Sequence, residues 1–301
     1  MKAQLLYTLL QLFGWLPSWW HYAWSWGISY ILQYIVGYRR EVIQSNLRSS
    51  FSDKSPKELR ALERAYYRHL SDLGVEIVML TSFSKRRLKR HVRISNSALI
   101  ADIHADNPTL FFLLGHYGNW EWFTGCQALL PMTQFNVVYK HQNGIWNEVM
   151  SKARSRFGAR LIEMNSVPVE VLQRRKEQGN NTYIFVSDQN PSLEHTVLFT
   201  NFLHRPTATI TGMERLANLR RAAVVYIDVE RVSRGQYLLT IKEMTRDASQ
   251  LPKFDLSAHF MQLLEQSIER QPEIWLWSHR RWKIDPQWVA KEYPDKEIVM
   301  R

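Results

Sequence analysis

Apolar and polar positions follow three regimes along the chain. The first runs from Ala3 to Val36, where no Asp, Glu, Lys or Arg interrupts the hydrophobic and aromatic residues. Pro17 divides it into a shorter piece and a second of about 18 residues, Trp19 to Val36. A helix needs about 20 apolar residues to cross a bilayer core, so the stretch suffices if the pieces join and is marginal if they do not. It reads either as a spanning helix or as a kinked segment lying in one leaflet. We therefore expect an anchor over residues 1–38 and a second unit over residues 39–301. A core helix of a soluble protein is the bland alternative, and the density of aromatic residues argues against it.

The second regime opens at Ser55-Pro56-Lys57-Glu58, which has the form of a capping box with proline at the first helical position. Leu59, Leu62, Tyr66, Leu70, Leu73, Ile77 and Leu80 then recur at helical spacing, which gives a core-facing stripe. In the third regime, from about residue 91 to 270, strand-like and helix-like runs alternate. Thr109–Leu114, Phe135–Lys140 and Thr182–Ser187 read as buried strands. Ala222–Val229 and Tyr237–Glu243 read as a hairpin that turns at Arg234-Gly235. Helices are expected through Trp146–Phe157, from an N-cap at Thr207 to Leu219, and over Asp255–Arg270. The alternation predicts an α/β domain, a central mostly parallel sheet flanked by helices. No internal repeat or Gly/Ser linker interrupts it.

Charge narrows the partners. The net charge is +11 and the pI about 9.7, so an anionic partner is expected: nucleic acid, a membrane surface, a phosphorylated substrate or an acidic protein. The densest basic run, Lys85 to Arg93, is either a solvated helix face or a contact for membrane or phosphate. No zinc-finger spacing, aromatic RNA-binding strand motif or heptad-bearing basic region accompanies the charge, so nucleic acid is not expected. Of the tryptophans, Trp15, Trp19, Trp20, Trp24 and Trp26 crowd the first regime, and such residues favour the membrane–water boundary. Arg39 and Arg40 come directly after it, which by the positive-inside bias keeps the body cytoplasmic. The single cysteine, Cys126, rules out an intramolecular disulfide and reads as packing.

The candidate chemistry lies in Gly115-His116-Tyr117-Gly118-Asn119-Trp120-Glu121, directly after the Thr109–Leu114 run. His116 falls on the loop, Asn119 at the N-cap of the next helix, and Glu121 in its first turn, where a carboxylate is favoured. From there the carboxylate can fold back to the imidazole. Such a pair is a general base with a group that fixes its tautomer. The hydroxyl it deprotonates would belong to the substrate, because no G-x-S-x-G elbow supplies a protein nucleophile. Without a GxGxxG, P-loop, HExxH or paired-cysteine signature, neither nucleotide cofactor nor metal is implied.

The H-x4-E spacing of His116 and Glu121 resembles the H-x4-D/E motif of the glycerolipid acyltransferase superfamily, and more closely that of the bacterial lipid A biosynthesis (late) acyltransferases. Further blocks match in order along the chain. Tyr139-Lys140-His141-Gln142-Asn143 is similar to the family's Tyr-Arg-Pro and Asn, with Lys140 in place of the Arg and no Pro. Arg154-Ser155-Arg156 resembles its R-x-R stretch, and Asp188-Gln189 its D-Q. Phe199 to Thr209 resembles its F-x-x-F-F-G-x-P-A block, with His204 in place of a small residue. Pro272-Glu273-Ile274-Trp275-Leu276-Trp277-Ser278-His279-Arg280-Arg281-Trp282-Lys283 is close to its P-E-Q-Y-L-W-x-H-R-R-F-K signature.

The resemblance implies that His116, oriented by Glu121, activates a hydroxyl of a lipid A precursor to attack a fatty acyl thioester on acyl carrier protein or, less often, coenzyme A. It implies substrate contacts at Asn119, Tyr139, Asn143, Arg154, Arg156, Asp188, Arg280 and Arg281, with the cations facing phosphate or the acidic carrier. Asp188 is left to pair either with an arginine or with the surroundings of His116. Membrane lipids are expected partners, and the bacterial inner membrane, cytoplasmic side, the expected location. Two rivals stand beside this reading: a lysophospholipid or aminolipid acceptor, and a non-catalytic protein that binds anionic membrane through its basic patches.

Overall fold

A computed structural model of the protein describes residues 2–173 and 179–301. Its strands are β1 (Val92–Ile94), β2 (Thr109–Leu114), β3 (Gln134–Tyr139), β4 (Arg160–Glu163), β5 (Asn181–Val186), β6 (Leu198–Phe202), β7 (Arg205–Ala208), β8 (Ala223–Ser233), β9 (Gln236–Thr245) and β10 (Val299–Met300). Seven form one sheet in the order β1-β9-β8-β2-β5-β3-β4, and β10-β6-β7 form a second, smaller one. From β8 through β2, β5 and β3 to β4 every pairing is parallel. The β8–β9 hairpin is antiparallel, and β1 pairs parallel with β9 at the edge. This is the expected α/β fold with a mostly parallel central sheet. Every residue of β2, at the middle of that sheet, is buried, as a strand covered on both faces must be.

The long helix Pro56–Leu80 opens with the expected capping box: Glu58 N–H reaches the Ser55 hydroxyl, and the Glu58 carboxylate reaches back to Ser55 N–H. Leu62, Tyr66, Leu73 and Leu80 of its predicted stripe are buried. The helix also buries Glu63, His69, Asp72 and Glu76, which periodicity of apolar residues does not reveal.

The first regime departs from a single span. It forms two helices, Lys2–Gly14 and Ser18–Tyr30, separated at Pro17, and then a π-helical stretch, Ile31–Ile35. Among the described residues no helix is long and apolar enough to cross a membrane. Pro17 supplies no N–H to continue the first helix. The second and the π-helical stretch after it are together amphipathic in the reverse of the usual sense: His21, Ser25, Ser29 and, in the latter, Gln33 face inward at four-residue spacing. Leu5, Trp15, Trp19, Trp26 and Ile35 face outward with 63 to 71 % of their surface exposed. The junction near residue 38 is held to the rest of the chain. Tyr67 donates to Tyr38 O at 2.8 Å, Arg39 to Ser278 O at 3.0 Å, and Arg40 to Glu63 at 3.0 Å. In the basic run, Arg87 donates 2.8 Å to Gly14 O, so one of its cations clamps the first helix rather than facing solvent.

The expected N-cap at Thr207 is corrected. Leu203 and His204 adopt φ of 51° and 64° and turn the chain back, so Thr207 lies on β7 opposite Thr200 of β6. The helix begins instead at Gly212, with Thr211 before it.

A buried polar cluster joins these layers. Glu76 accepts from Asn119 Nδ2 at 2.7 Å, Tyr237 Oη at 3.0 Å and Tyr22 Oη at 3.0 Å. One helical turn away, Asp72 accepts from Ser25 and from Arg234. The cluster therefore ties the second N-terminal helix to the Pro56–Leu80 helix, to the β8–β9 hairpin and to the loop after β2. Burial pushes the Glu76 carboxyl up to about 7, even against the hydrogen bond from Asn119. Unfolding restores an ordinary carboxyl, which releases its proton near 4.5. The stability Glu76 contributes is thus complete below that pH and is lost as pH rises towards 7. Glu76→Gln keeps the shape and removes the charge. We expect it to flatten the wild-type decline in stability between pH 5 and 8 by about 2 kcal/mol, measured by urea unfolding at a series of pH values. An unchanged pH dependence would exclude a titrating Glu76.

Candidate functional site

Parallel pairing sets the geometry of the site. Leu114, the last residue of β2, is in register with Val186, the last of β5. The pairing runs one step further, with Ser187 N–H on Leu114 O at 3.0 Å. Two residues past each strand end stand His116 and Asp188, and they meet. Crevices at the carboxyl ends of parallel strands are where sites collect in such sheets. The intervening Gly115 has no room for a side chain: a Cβ there would lie 2.7 Å from Leu264 Cδ1 and 3.3 Å from Asp188 Oδ2. Gly118 takes φ +65°, a conformation that favours glycine, and lets the loop turn against Val229.

His116 Nδ1 lies 2.6 Å from Asp188 Oδ1. Asp188 Oδ2 accepts from His116 N–H at 3.0 Å and from Trp275 Nε1–H at 2.8 Å. Burial alone would raise the Asp188 carboxyl, but the charge and hydrogen bond of His116, with the Trp275 indole, hold it at about 2. It is ionised at any working pH and fixes Nδ1 as the protonated ring nitrogen. In the neutral ring Nε2 then carries the lone pair, and the Gln189 side-chain nitrogen stands 3.3 Å from it. The imidazole keeps 19 % of its side-chain surface exposed, and the Trp120 ring lies edge-on to it at 4.9 Å. The C-terminal segment pins the loop: Gly118 N–H reaches Ile274 O at 2.9 Å, and Leu276 N–H reaches His116 O at 3.1 Å. A partly open imidazole held by a carboxylate is equipped to take a proton from a hydroxyl.

The carboxylate on His116 is thus Asp188, and the expected contact from Glu121 is replaced. Glu121 is gripped by Arg154, with Nε to Oε2 at 2.8 Å and Nη2 to Oε1 at 2.6 Å. The planar guanidinium at the end of the Ile145–Ser155 helix matches both carboxylate oxygens at once, which outcompetes a single contact to an imidazole. Asn119 accepts from Trp122 N–H at 3.0 Å across the turn, but the N-cap position of the short 3₁₀ helix that follows, Trp122–Gly125, falls to Glu121, and Cys126–Leu129 comes after it. Asn119 is fully buried with its amide on Glu76, which places it inside the loop's support.

The remaining candidates separate. Arg156 comes just after that helix and donates to Phe83 O at 2.9 Å. Tyr139 ends β3, and Asn143 is exposed in the loop beyond it. Arg280 is exposed, whereas Arg281 is buried, with Nη1 on Asn190 Oδ1 at 3.0 Å and Nη2 on Ala208 O at 2.8 Å. Burial lowers the Arg281 guanidinium to about 10, opposed by the charge of Asp188. Arg281 therefore braces the loop after β5 against β7 and is no part of an exposed cationic patch. Two residues were not assigned from sequence: Trp275, which completes the hold on Asp188, and Glu76 beneath Asn119. The sequence run Thr182–Ser187 lies one residue past the strand, so the equal offset of His116 and Asp188 beyond β2 and β5 emerges only from the register.

The profile of the family described as bacterial lipid A biosynthesis acyltransferase matches residues 3–284. The chain is 22 % identical over 251 residues to the lipid A biosynthesis palmitoleoyltransferase of Escherichia coli K12, covering 82 % of this chain and 80 % of that protein. Its identity to the lipid A biosynthesis acyltransferase of Shigella flexneri is also 22 %, over the same shares. To the lipid A biosynthesis lauroyltransferase of Escherichia coli K12 it is 20 % identical over 256 residues, 85 % of this chain and 82 % of that protein.

The Glu121–Arg154 pair gives a test of the geometry that needs no substrate. Arg154→Ala leaves a nearly buried carboxylate uncompensated, and we expect a loss of about 2–4 kcal/mol in chemical denaturation. The Glu121→Ala, Arg154→Ala double variant should lose less than the two single variants together, because the stranded charge goes with its partner. Additive losses would dissolve the pair.

Proposed function

The chain belongs to the bacterial lipid A biosynthesis acyltransferase family, and from that premise we propose that His116, held by Asp188, is the general base that transfers a fatty acyl chain to a hydroxyl of a lipid A precursor. The reading rests chiefly on one observation, the 2.6 Å contact between His116 Nδ1 and Asp188 Oδ1 in a ring that stays partly open to solvent. His116 Nε2 takes the proton of the acceptor hydroxyl as that oxygen attacks the thioester carbonyl. The tetrahedral intermediate collapses, the thiolate leaves, and the imidazolium returns the proton to sulfur. Base catalysis of this kind contributes about 10²–10⁴ in rate. The donor is an acyl thioester of acyl carrier protein or coenzyme A, the first favoured by the basic surface. Glu121 and Arg154 shape the loop wall as an ion pair, and the exposed Arg280 is the cation offered to phosphate.

The N-terminal helices suit a protein held in one leaflet. Their outward tryptophans, leucines and isoleucine enter the interface, while Ser25 and Tyr22 stay bonded to the body. Arg39 and Arg40 behind the apolar stretch support an inner-membrane location with the sheet on the cytoplasmic side. An acceptor and an ester product that both remain in the membrane fit this arrangement.

His116→Ala should abolish transfer with a folded protein, assayed with purified chain, acyl carrier protein thioesters of graded length and a lipid A precursor. Asp188→Asn keeps the shape but permits the wrong tautomer, and kcat should fall by about 10³–10⁴. Lipid A from a deletion strain should lack one acyl chain by mass spectrometry. Unchanged lipid A, or full activity in His116→Ala, would remove the proposal.

A further inference from the structure

The two ring nitrogens of His116 have different partners. Nδ1 donates to Asp188, so in the neutral ring Nε2 presents a lone pair, and the Gln189 amide nitrogen 3.3 Å away is placed to donate into it. That lone pair is the one a general base must use. A substrate hydroxyl and the Gln189 amide cannot share it, so the amide has to move when the acceptor arrives.

The surroundings of Gln189 allow that movement. On one side Asp188 is fixed by three donors: the ring and the backbone N–H of His116, and the Trp275 indole. On the other, Asn190 is tied through Arg281 Nη1 at 3.0 Å and through its own amide to Arg280 O at 2.9 Å. The backbone of Gln189 is therefore anchored on both flanks. Its described side-chain hydrogen bond is the contact to His116, longer than the 2.9–3.0 Å usual for such bonds and so weak.

Resting on the reading of His116 as base, we propose that Gln189 is a further catalytic residue: displaced from Nε2 by the acceptor hydroxyl, its amide N–H donates to the oxyanion that forms on the thioester carbonyl. The distances agree. A hydroxyl bound to Nε2 sits at about 2.8 Å, and the carbon it attacks about 3–3.5 Å beyond. The carbonyl oxygen of that carbon arrives beside an amide that starts 3.3 Å from the same Nε2. As the proton passes to Nε2 and the new C–O bond forms, the carbonyl π pair moves onto oxygen, and the Gln189 N–H compensates that charge. When the C–S bond breaks the charge returns to the carbonyl, and the imidazolium gives its proton to the thiolate. The same amide serves as cover for the lone pair before reaction and as donor during it.

Kinetics of the full-length protein with an acyl carrier protein thioester and a lipid A precursor test this. Gln189→Ala should lower kcat by about 10²–10³, the usual effect of removing one oxyanion donor, with KM within a few-fold of wild type. Gln189→Glu, of the same shape without the donor, should fall at least as far. Its carboxylate beside Nε2 should also move the acid limb of the kcat–pH profile upward. The side chain is half-buried and bonded outward to His116, so thermal melting of Gln189→Ala should match wild type. A kcat within about three-fold of wild type, or a change confined to KM, overturns the role of Gln189 while leaving His116 as base, provided His116→Ala is inactive in the same assay. No transfer by the wild-type protein overturns both.

Discussion

The parallel pairing of β2 with β5 is the constraint on which the site depends. It fixes the strand ends at one level, Leu114 beside Val186, and so delivers His116 and Asp188 to each other without any long-range adjustment. Everything nearby then serves to keep those two side chains in their places. Gly115 leaves space for Leu264 and for the Asp188 carboxylate, Trp275 completes the acceptor geometry of Asp188, and the Ile274–Leu276 backbone holds the histidine loop as an added strand would. A side chain on a loop is only as precisely placed as the rigid elements beneath it. Here those elements are two central strands buried on both faces.

Much of the fold was legible in the chain. Apolar runs marked β2, β3 and β5 to within a residue, and Arg234-Gly235 marked the hairpin. Pattern failed where backbone geometry decided. Thr207 looked like a cap because its neighbours gave no hint that Leu203 and His204 take positive φ and fold the segment into β7. In the site, His116 was legible from its setting, but its partner was not. The spacing to Glu121 is local and visible, whereas the spacing to Asp188 exists only once two strands are known to be neighbours. Glu121 was assigned to the imidazole because nothing linear shows that Arg154, on a later helix, arrives with two parallel donors. Arg281 was similarly ambiguous: adjacent to the exposed Arg280 in sequence, it points inward and binds protein.

The N-terminal helices show how composition and arrangement answer different questions. Composition predicted a membrane-loving segment and is consistent with the outward tryptophans. It could not show that serines, a histidine and a glutamine recur every fourth residue and face inward, with Ser25 bonded to Asp72 of the Pro56–Leu80 helix. A segment that buries its polar face in protein and offers its apolar face outward differs from a helix that merely lacks charge. The family profile begins at residue 3, within this segment, so the likeness to the acyltransferases includes these helices.

Tyr22 on the second of these helices and Asn119 in the histidine loop grasp the two oxygens of the same Glu76 carboxylate. The apolar N-terminal helices and the loop that carries His116 are consequently joined through one buried carboxylate. A truncated chain lacking the first 38 residues would not be a tidier, water-loving catalyst. It would take the Ser25 hydroxyl from Asp72 and the Tyr22 hydroxyl from Glu76, leaving the carboxylate beneath the His116 loop to Asn119 and Tyr237 alone.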